Sequence, residues 1–196
     1  MRRGSSCGYS LIEVMVVSGL IATAAGVAIP QLLTALDDLR TVGAARYMSA
    51  RLHRARMEAV MRSADVALRF TADARGYTFA TYVDSNRNGV LTTDIQGGID
   101  RSLAQAERLS DNFAGVEFGT LPLLPPVDSG GTPPADNPIR VGPGGLVTFG
   151  PLGTSTSGSL YIRGRRNAQY AVRIFGETGK IRVLRFDTRA RQWKPL

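Results

Sequence analysis

Three groups of polar residues in this sequence have types and spacings that could support chemistry. Glu13 is a lone carboxylate in an otherwise uncharged N-terminal stretch. Asp84–Gly89, with the sequence DSNRNG, has the alternating oxygen-bearing residues and the glycine of a calcium loop. Arg163, Arg165 and Arg166 stand close together, and guanidinium groups suit phosphate contacts. These patterns raise three hypotheses: a buried ion pair, a cation site and an anion-binding surface.

The calcium hypothesis competes with an ordinary turn at Asp84–Gly89. The twelfth position of a calcium loop is usually a bidentate glutamate, but here it is Ile95, with Asp94 beside it. Asn, Asp and Gly also form turns without any metal. We therefore predict a plain turn and retain calcium binding as the alternative.

The basic C-terminal region also has two interpretations. Ten basic and two acidic residues lie between Tyr161 and Leu196. Clustered arginines can follow a nucleic-acid backbone, which makes Arg163, Arg165 and Arg166 candidates for DNA binding. A solvated or subunit-contacting basic face explains the same charges, and we favour it.

Composition excludes several other kinds of site. The chain has 196 residues, a formal net charge of +8, one cysteine and one histidine. A single cysteine rules out an internal disulfide framework and a cysteine-based zinc cluster, and a single histidine rules out multi-histidine metal sites. No nucleophile has a base placed by the sequence to activate it, and His53 is predicted to be a surface or boundary residue. We therefore predict a protein that is not an enzyme and has no cofactor.

The element that carries Glu13 is a long apolar segment. Val14–Ile29 contains no charge, and with the residues on either side it can cross a bilayer core of about 30 Å. Arg2 and Arg3 precede it and two aspartates follow at 37–38, so the positive-inside rule places the N-terminus in the cytoplasm. A cleaved secretory signal peptide is the alternative, but the carboxylate near the start of the apolar segment disfavours it.

The sequence GYSLIEV at residues 8–14 resembles the cleavage site of type IV prepilins and type II secretion pseudopilins. The resemblance implies that a prepilin peptidase cuts after Gly8 and that Tyr9, in place of the usual phenylalanine, becomes the N-methylated first residue. It also implies that Glu13, the fifth mature residue, pairs with a free N-terminal amine, of a neighbouring subunit or of the same one, during filament assembly. Snorkelling of Glu13 to the membrane interface is the alternative. Similar proteins often have a proline where the helix leaves the membrane, so a kink is predicted near Pro30.

Residues 31–62 continue the helix as an amphipathic half. Its apolar residues recur at steps of three to six positions, which predicts one buried stripe, while six arginines lie among the remaining positions. The predicted stripe consists of Leu32, Leu36, Leu39, Val42, Met48, Leu52, Ala55 and Ala59.

After Ser63 the pattern changes to short strands of an antiparallel β domain. The first two strands form a predicted hairpin joined near Arg75-Gly76. Residues 122–138 hold six of the ten prolines and are predicted to be a surface loop. Glu177–Gly179 is a predicted turn, and Trp193 is predicted to anchor the C-terminal tail. The predicted strands are Val66–Phe70, Tyr77–Val83, Val116–Leu121, Leu146–Phe149, Ser159–Arg163, Gln169–Phe175 and Lys180–Phe186.

The whole outline resembles the GspH/FimT group of minor pseudopilins and minor pilins. The predicted fold is α+β, with a long N-terminal transmembrane helix packed on a C-terminal antiparallel β domain. Predicted parts are a leader at 1–8, the transmembrane helix at 9–36, the amphipathic half at 37–63 and a periplasmic β domain at 64–196.

The resemblance implies a minor pseudopilin of a type II secretion system, held in a bacterial inner membrane and assembled with other pseudopilins or minor pilins. The alternative is a FimT-like minor pilin of a type IV pilus that binds DNA during uptake. Arg163–Arg166 is similar to the Gly-Arg-x-Arg element of such proteins, although Arg166 follows Arg165 directly and Asn167 stands where the second arginine would be.

Overall fold

The structure is a computed structural model that describes residues 9–128 and 130–196. The predicted leader at 1–8, including the Gly8 side of the cleavage site, lies outside the described residues. The chain divides into two compact units, one ending at Leu36 and the other comprising Asp37–Leu196. Each unit is described by itself below.

One helix, α1 (Leu11–Arg62), contributes to both units and continues through Pro30. Its N-terminal part is apolar and exposed, and by length and composition it can cross a membrane. Pro30 has no backbone N–H to donate to the preceding turn, which is the physical basis of the predicted kink. The hydroxyl of Thr34 donates to the Pro30 carbonyl at 2.9 Å. The kink itself stays a prediction.

The part of α1 in the second unit buries one face against the sheets. Its buried residues recur every three or four positions, as one face of a helix requires. The alanines among them allow close approach of the sheets. The buried set is Asp37, Thr41, Ala44, Ala45, Met48, Leu52, Ala55 and Ala59.

The predicted stripe is therefore wrong at its N-terminal end. Leu39 was expected to be buried but is 64% exposed, because it lies two positions from Asp37 and so points away from the sheets. Leu32 and Leu36, also expected in the stripe, belong to the first unit and are exposed. His53 is exposed, as expected.

Within its described residues, the second unit contains two antiparallel sheets built from eleven strands. The strands are β1 (Val66–Asp73), β2 (Gly76–Val83), β3 (Arg101–Ser102), β4 (Glu107–Arg108), β5 (Glu117–Phe118), β6 (Ile139–Arg140), β7 (Leu146–Phe149), β8 (Gly158–Arg163), β9 (Gln169–Phe175), β10 (Lys180–Asp187) and β11 (Gln192–Pro195). Two short helices, α2 (Thr92–Gln96) and α3 (Leu109–Asn112), and a 3-10 turn at Pro143–Gly145 complete the secondary structure of the described residues.

The first sheet has the strand order β3-β2-β1-β7, with β4 also paired to β2. The second has the order β11-β10-β9-β8-β5, with β6 also paired to β8. Side chains from both sheets and from α1 form one core that includes Met48, Leu52, Phe79, Phe149 and Ile162. The α+β architecture predicted from the sequence is confirmed.

Most predicted strands are present with bounds shifted by a few residues at most, and the β1–β2 hairpin has its turn at the predicted place. The predicted strand over Val116–Leu121 is shorter. Gly119 N–H still donates to the Tyr161 carbonyl at 3.1 Å, but beyond it the backbone bonds to side chains, and Leu121 N–H donates to Gln169 Oε1 at 2.9 Å. β11 was not predicted. Trp193, in β11, anchors the C-terminal tail by donating to the Pro125 carbonyl at 3.0 Å.

Candidate functional site

Tyr9 and Glu13 lie on the exposed surface of the first unit. Tyr9 is 83% exposed, and no basic group among the described residues pairs with Glu13. The apolar side chains around them, such as Leu11, Ile12 and Met15, are also exposed. Exposed apolar surface of this extent requires a lipid or protein environment, since water does not favour it.

The Gly164–Arg166 segment begins the turn that joins β8 to β9, and it is held against the start of the second unit. The backbone N–H groups of Arg165 and Arg166 donate to the two carboxylate oxygens of Asp37 at 2.9 and 2.7 Å. Asp37 is only 7% exposed, so these charge-assisted bonds satisfy a buried carboxylate. The polypeptide backbone of the turn, rather than its arginine side chains, makes this contact.

Gly164 is required at this contact because there is no room for a side chain. A Cβ at residue 164 would lie 2.4 Å from Thr41 Oγ1 and 2.6 Å from Asp37 Oδ2. Asn167 follows with φ of 66°, a conformation that asparagine tolerates better than most residues. The sequence of the turn therefore has a structural explanation that is independent of any ligand.

Asp38 makes a second attachment between the helix and the sheet. It accepts a hydrogen bond from the Tyr170 hydroxyl at 2.9 Å and pairs with Arg185 at 3.2 Å. Burial raises the pKa of Tyr170 to about 12, and the bond to Asp38 adds to this effect. Sequence reasoning used Asp37 and Asp38 only as the charged flank of the apolar segment, because their partners lie about 130 positions away in the chain.

The arginine side chains of the turn remain available to a ligand. Arg165 and Arg166 are exposed, whereas Arg163 is half-buried and lies 3.5 Å from the Thr120 carbonyl. The side chain of Arg165 packs against Gly115, two residues before β5 begins. The structure thus brings the three predicted arginines to one end of β8 but leaves only two of them exposed.

A pocket of about 380 Å³ opens beside this turn. Its charged lining residues are Arg75, Arg108, Arg163, Arg165 and Glu117. Arg108 already binds Asp73, and that hydrogen bond lowers the pKa of Asp73 to about 2. The excess of guanidinium groups makes the pocket suited to anions.

The Asp84–Gly89 segment forms the predicted turn. The Asp84 carboxylate accepts three backbone N–H bonds, from Asn86, Arg87 and Gly89, at 2.7 to 3.0 Å. The side-chain amides of Asn86 and Asn88 donate to Asp94, and these bonds lower its pKa. Among residues 9–128 and 130–196, no group of three or more His, Cys, Asp or Glu is placed to hold a metal ion.

Comparison with known families is decisive for the second unit. The family model described as type II transport protein GspH matches residues 44–178, more than half of the chain. The chain belongs to the GspH family. This is a structural, pilin-like family and not an enzyme family, and it implies assembly with other pilins or pseudopilins. The predicted family is confirmed.

One curated relative supports the pilin-like character of this GspH-family chain. The pilin-like protein PilA1 of Thermus thermophilus is 38% identical over 82 residues, which cover 41% of this chain and 50% of the relative. The chain thus spans about half the length of the curated relative it matches. No solved structure shows a significant match. The apolar N-terminal helix and the family together fit a single-pass membrane protein.

Proposed function

We propose that this GspH-family chain is a minor pseudopilin of a type II secretion system. It is anchored in the bacterial inner membrane by residues 9–36, with the N-terminus in the cytoplasm and the β domain in the periplasm. The observation that carries the proposal is the agreement of two separate signals. The prepilin-like motif occupies residues 8–14, whereas the family match begins at residue 44, so neither depends on the other.

Processing is the first step of the proposed function. Prepilin peptidase cleaves between Gly8 and Tyr9, and the new amine of Tyr9 is then methylated. Mass analysis of the chain purified from cells that contain the peptidase should show a mature protein that begins with N-methyl-Tyr9. Gly8→Ala should leave the precursor uncut, and cleavage of that variant at the same bond would contradict the proposal.

Assembly is the second step, and Glu13 has the central role in it. The exposed apolar side chains of the first unit leave the membrane only if neighbouring helices cover them. A carboxylate among those helices needs a positive partner, which cleavage supplies as the Tyr9 amine. Glu13→Gln should therefore be processed normally but incorporated poorly into filaments. Glu177→Gln, in the exposed turn after β9, is the matched control and should be incorporated normally.

Deletion of the gene distinguishes the secretion system from a pilus. For a pseudopilin, deletion should trap secreted proteins in the periplasm and leave surface pili intact. Loss of pili with normal secretion would reject the pseudopilin and support a FimT-like minor pilin. Co-purification of the native chain with secretion or pilus subunits provides an independent measurement.

DNA binding during uptake is the second candidate function. The supporting observation is that the backbones of Arg165 and Arg166 are held by Asp37 while their side chains are exposed, so both guanidinium groups are accessible to a phosphate backbone. The full chain in neutral detergent should bind duplex DNA with salt-sensitive affinity. Arg165→Ala/Arg166→Ala should weaken binding and lower the salt slope by about two. Unchanged affinity in that variant would reject this candidate.

A further inference from the structure

The strand register of the second sheet places one group of basic residues at each end of the sheet. Arg163 pairs with Gln169 and Tyr170 with Arg185, so the turn after β8 and the turn after β10 lie at the same end of the sheet. Six exposed basic residues lie there, and we call them the basic end: Arg165, Arg166, Arg185, Arg189, Arg191 and Lys194. Lys180 pairs with Phe175 at the opposite end, roughly 20 Å away along seven residues of β9.

Acidic residues neutralise the basic end only in part. Asp38 pairs with Arg185, and Asp187 pairs with Lys194 at 2.7 Å. The Asp37 carboxylate is occupied by backbone N–H groups rather than by a guanidinium. Among the described residues, four side chains of the basic end have no acidic partner: Arg165, Arg166, Arg189 and Arg191. An excess of positive charge therefore remains exposed at this end.

The basic end lies beside the residues that directly follow the apolar segment of the chain. Its turn binds Asp37, which is the first charged residue after Val14–Ile29 and follows Ile29 by only eight positions in the sequence. The headgroup layer of a bilayer extends about 5–8 Å beyond the hydrocarbon. Because so few residues connect the basic end to the membrane-spanning segment, its long arginine side chains are suited to contact the headgroups.

We propose that the basic end binds the phosphate groups of anionic phospholipids on the face of the membrane where the β domain lies. The inference rests on the membrane anchor of the proposed function. Before assembly, the contact holds the β domain against the bilayer surface, and it is released when the subunit enters a filament. The positive-inside rule does not oppose it, because that rule applies to charges close to the span in sequence, and long domains cross the membrane largely regardless of charge.

The test uses the full chain in nanodiscs of phosphatidylcholine, alone or mixed with phosphatidylglycerol. A fluorescent label is attached at Thr188→Cys, in the turn after β10, on a Cys7→Ser background. A second labelled variant carries the fluorophore at Thr178→Cys, in the turn at the opposite end. Quenching by a headgroup-linked quencher reports proximity to the lipid. We expect phosphatidylglycerol to increase quenching at residue 188 but not at residue 178, and added salt to reverse the increase.

Paired charge variants provide the control. Arg165→Ala/Arg166→Ala leaves the backbone bonds to Asp37 in place and should lower the ratio of docked to undocked chains about twenty-five-fold, at roughly fivefold per basic residue. Lys180→Ala/Arg182→Ala removes the same charge from the opposite end and should have no effect. Equal quenching in both lipids, or equal effects of the two variants, would overturn the inference.

Two further outcomes separate this inference from the functions proposed above. If duplex DNA binds the Arg165–Arg166 pair in neutral nanodiscs while phosphatidylglycerol changes nothing, the lipid contact is rejected in favour of DNA. If the wild-type chain fails to co-purify with nanodiscs at all, the membrane anchor is refuted and the lipid contact with it.

Discussion

Gly164→Ala is the substitution that best tests how the turn after β8 is attached to the helix. A methyl group at residue 164 would lie 2.4 Å from Thr41 Oγ1 and 2.6 Å from Asp37 Oδ2. Neither side chain can move aside, because Thr41 is 0% and Asp37 is 7% exposed. The backbone φ of Gly164 is not positive, so steric overlap rather than backbone strain causes the expected damage.

The cost follows from two effects. Overpacking a buried site costs about 1–3 kcal/mol. If the turn lifts away instead, the Asp37 carboxylate loses two charge-assisted hydrogen bonds, each contributing about 1.5–3 kcal/mol. The structure relaxes to the combination of overpacking and lost hydrogen bonds that has the lowest free energy. We therefore expect a loss of about 3 kcal/mol in the free energy of unfolding of the second unit. For a unit of this size, that loss lowers the Tm by about 10 °C.

The assay is thermal unfolding of the full chain in detergent, followed by near-UV circular dichroism of the aromatic side chains. Gly119→Ala is the matched control, because its Cβ would meet Arg163 Cβ at an ordinary 3.5 Å. Thr41→Ala removes the hydroxyl nearest to the new methyl group, so the double variant Thr41→Ala/Gly164→Ala should lose less stability than the sum of the single losses. Equal stability of Gly164→Ala and Gly119→Ala, or additive losses, would refute the reasoning.

Three further predictions concern titration and packing in the second unit. The hydrogen bond from Arg108, together with the backbone N–H of Arg75, lowers the pKa of Asp73 from 3.8 to about 2. Stability from these bonds is therefore present above pH 3.8 and is lost as pH falls through 2, and Arg108→Ala should raise the pKa of Asp73 in an NMR titration. Burial raises the pKa of Tyr170 from 10.0 to about 12, so stability should fall as pH rises between those values. Tyr170→Phe should remove the tyrosinate whose absorbance appears near pH 12. Leu52 is 0% exposed and Leu39 is 64% exposed. In a denaturant titration, Leu52→Ala should therefore lower the free energy of unfolding by about 2–5 kcal/mol, and Leu39→Ala by less than about 0.5 kcal/mol. Equal losses would contradict the observed orientation of α1.

Local patterns were sufficient to predict most elements of the fold. Hydrophobic runs with turn residues between them predicted β1, β2, β7, β8, β9 and β10, because strand period and turn chemistry are properties of neighbouring residues. The buried stripe of α1 was predicted less well. Polar Asp37 and Thr41 belong to the buried face, whereas apolar Leu39 does not, and only the partners across the interface explain this.

The same distinction between local sequence patterns and long-range contacts applies to the candidate site. The apolar segment, the prepilin-like motif and Glu13 are contiguous in the chain, so the sequence by itself determined the anchor hypothesis and the family resemblance. Only the tertiary structure decided that Gly164–Arg166 begins a turn held by Asp37, and that exposed basic residues gather at the same end of the second sheet. Contacts across about 130 residues depend on strand register and on helix–sheet packing, and neither is encoded in the spacing of neighbouring residues.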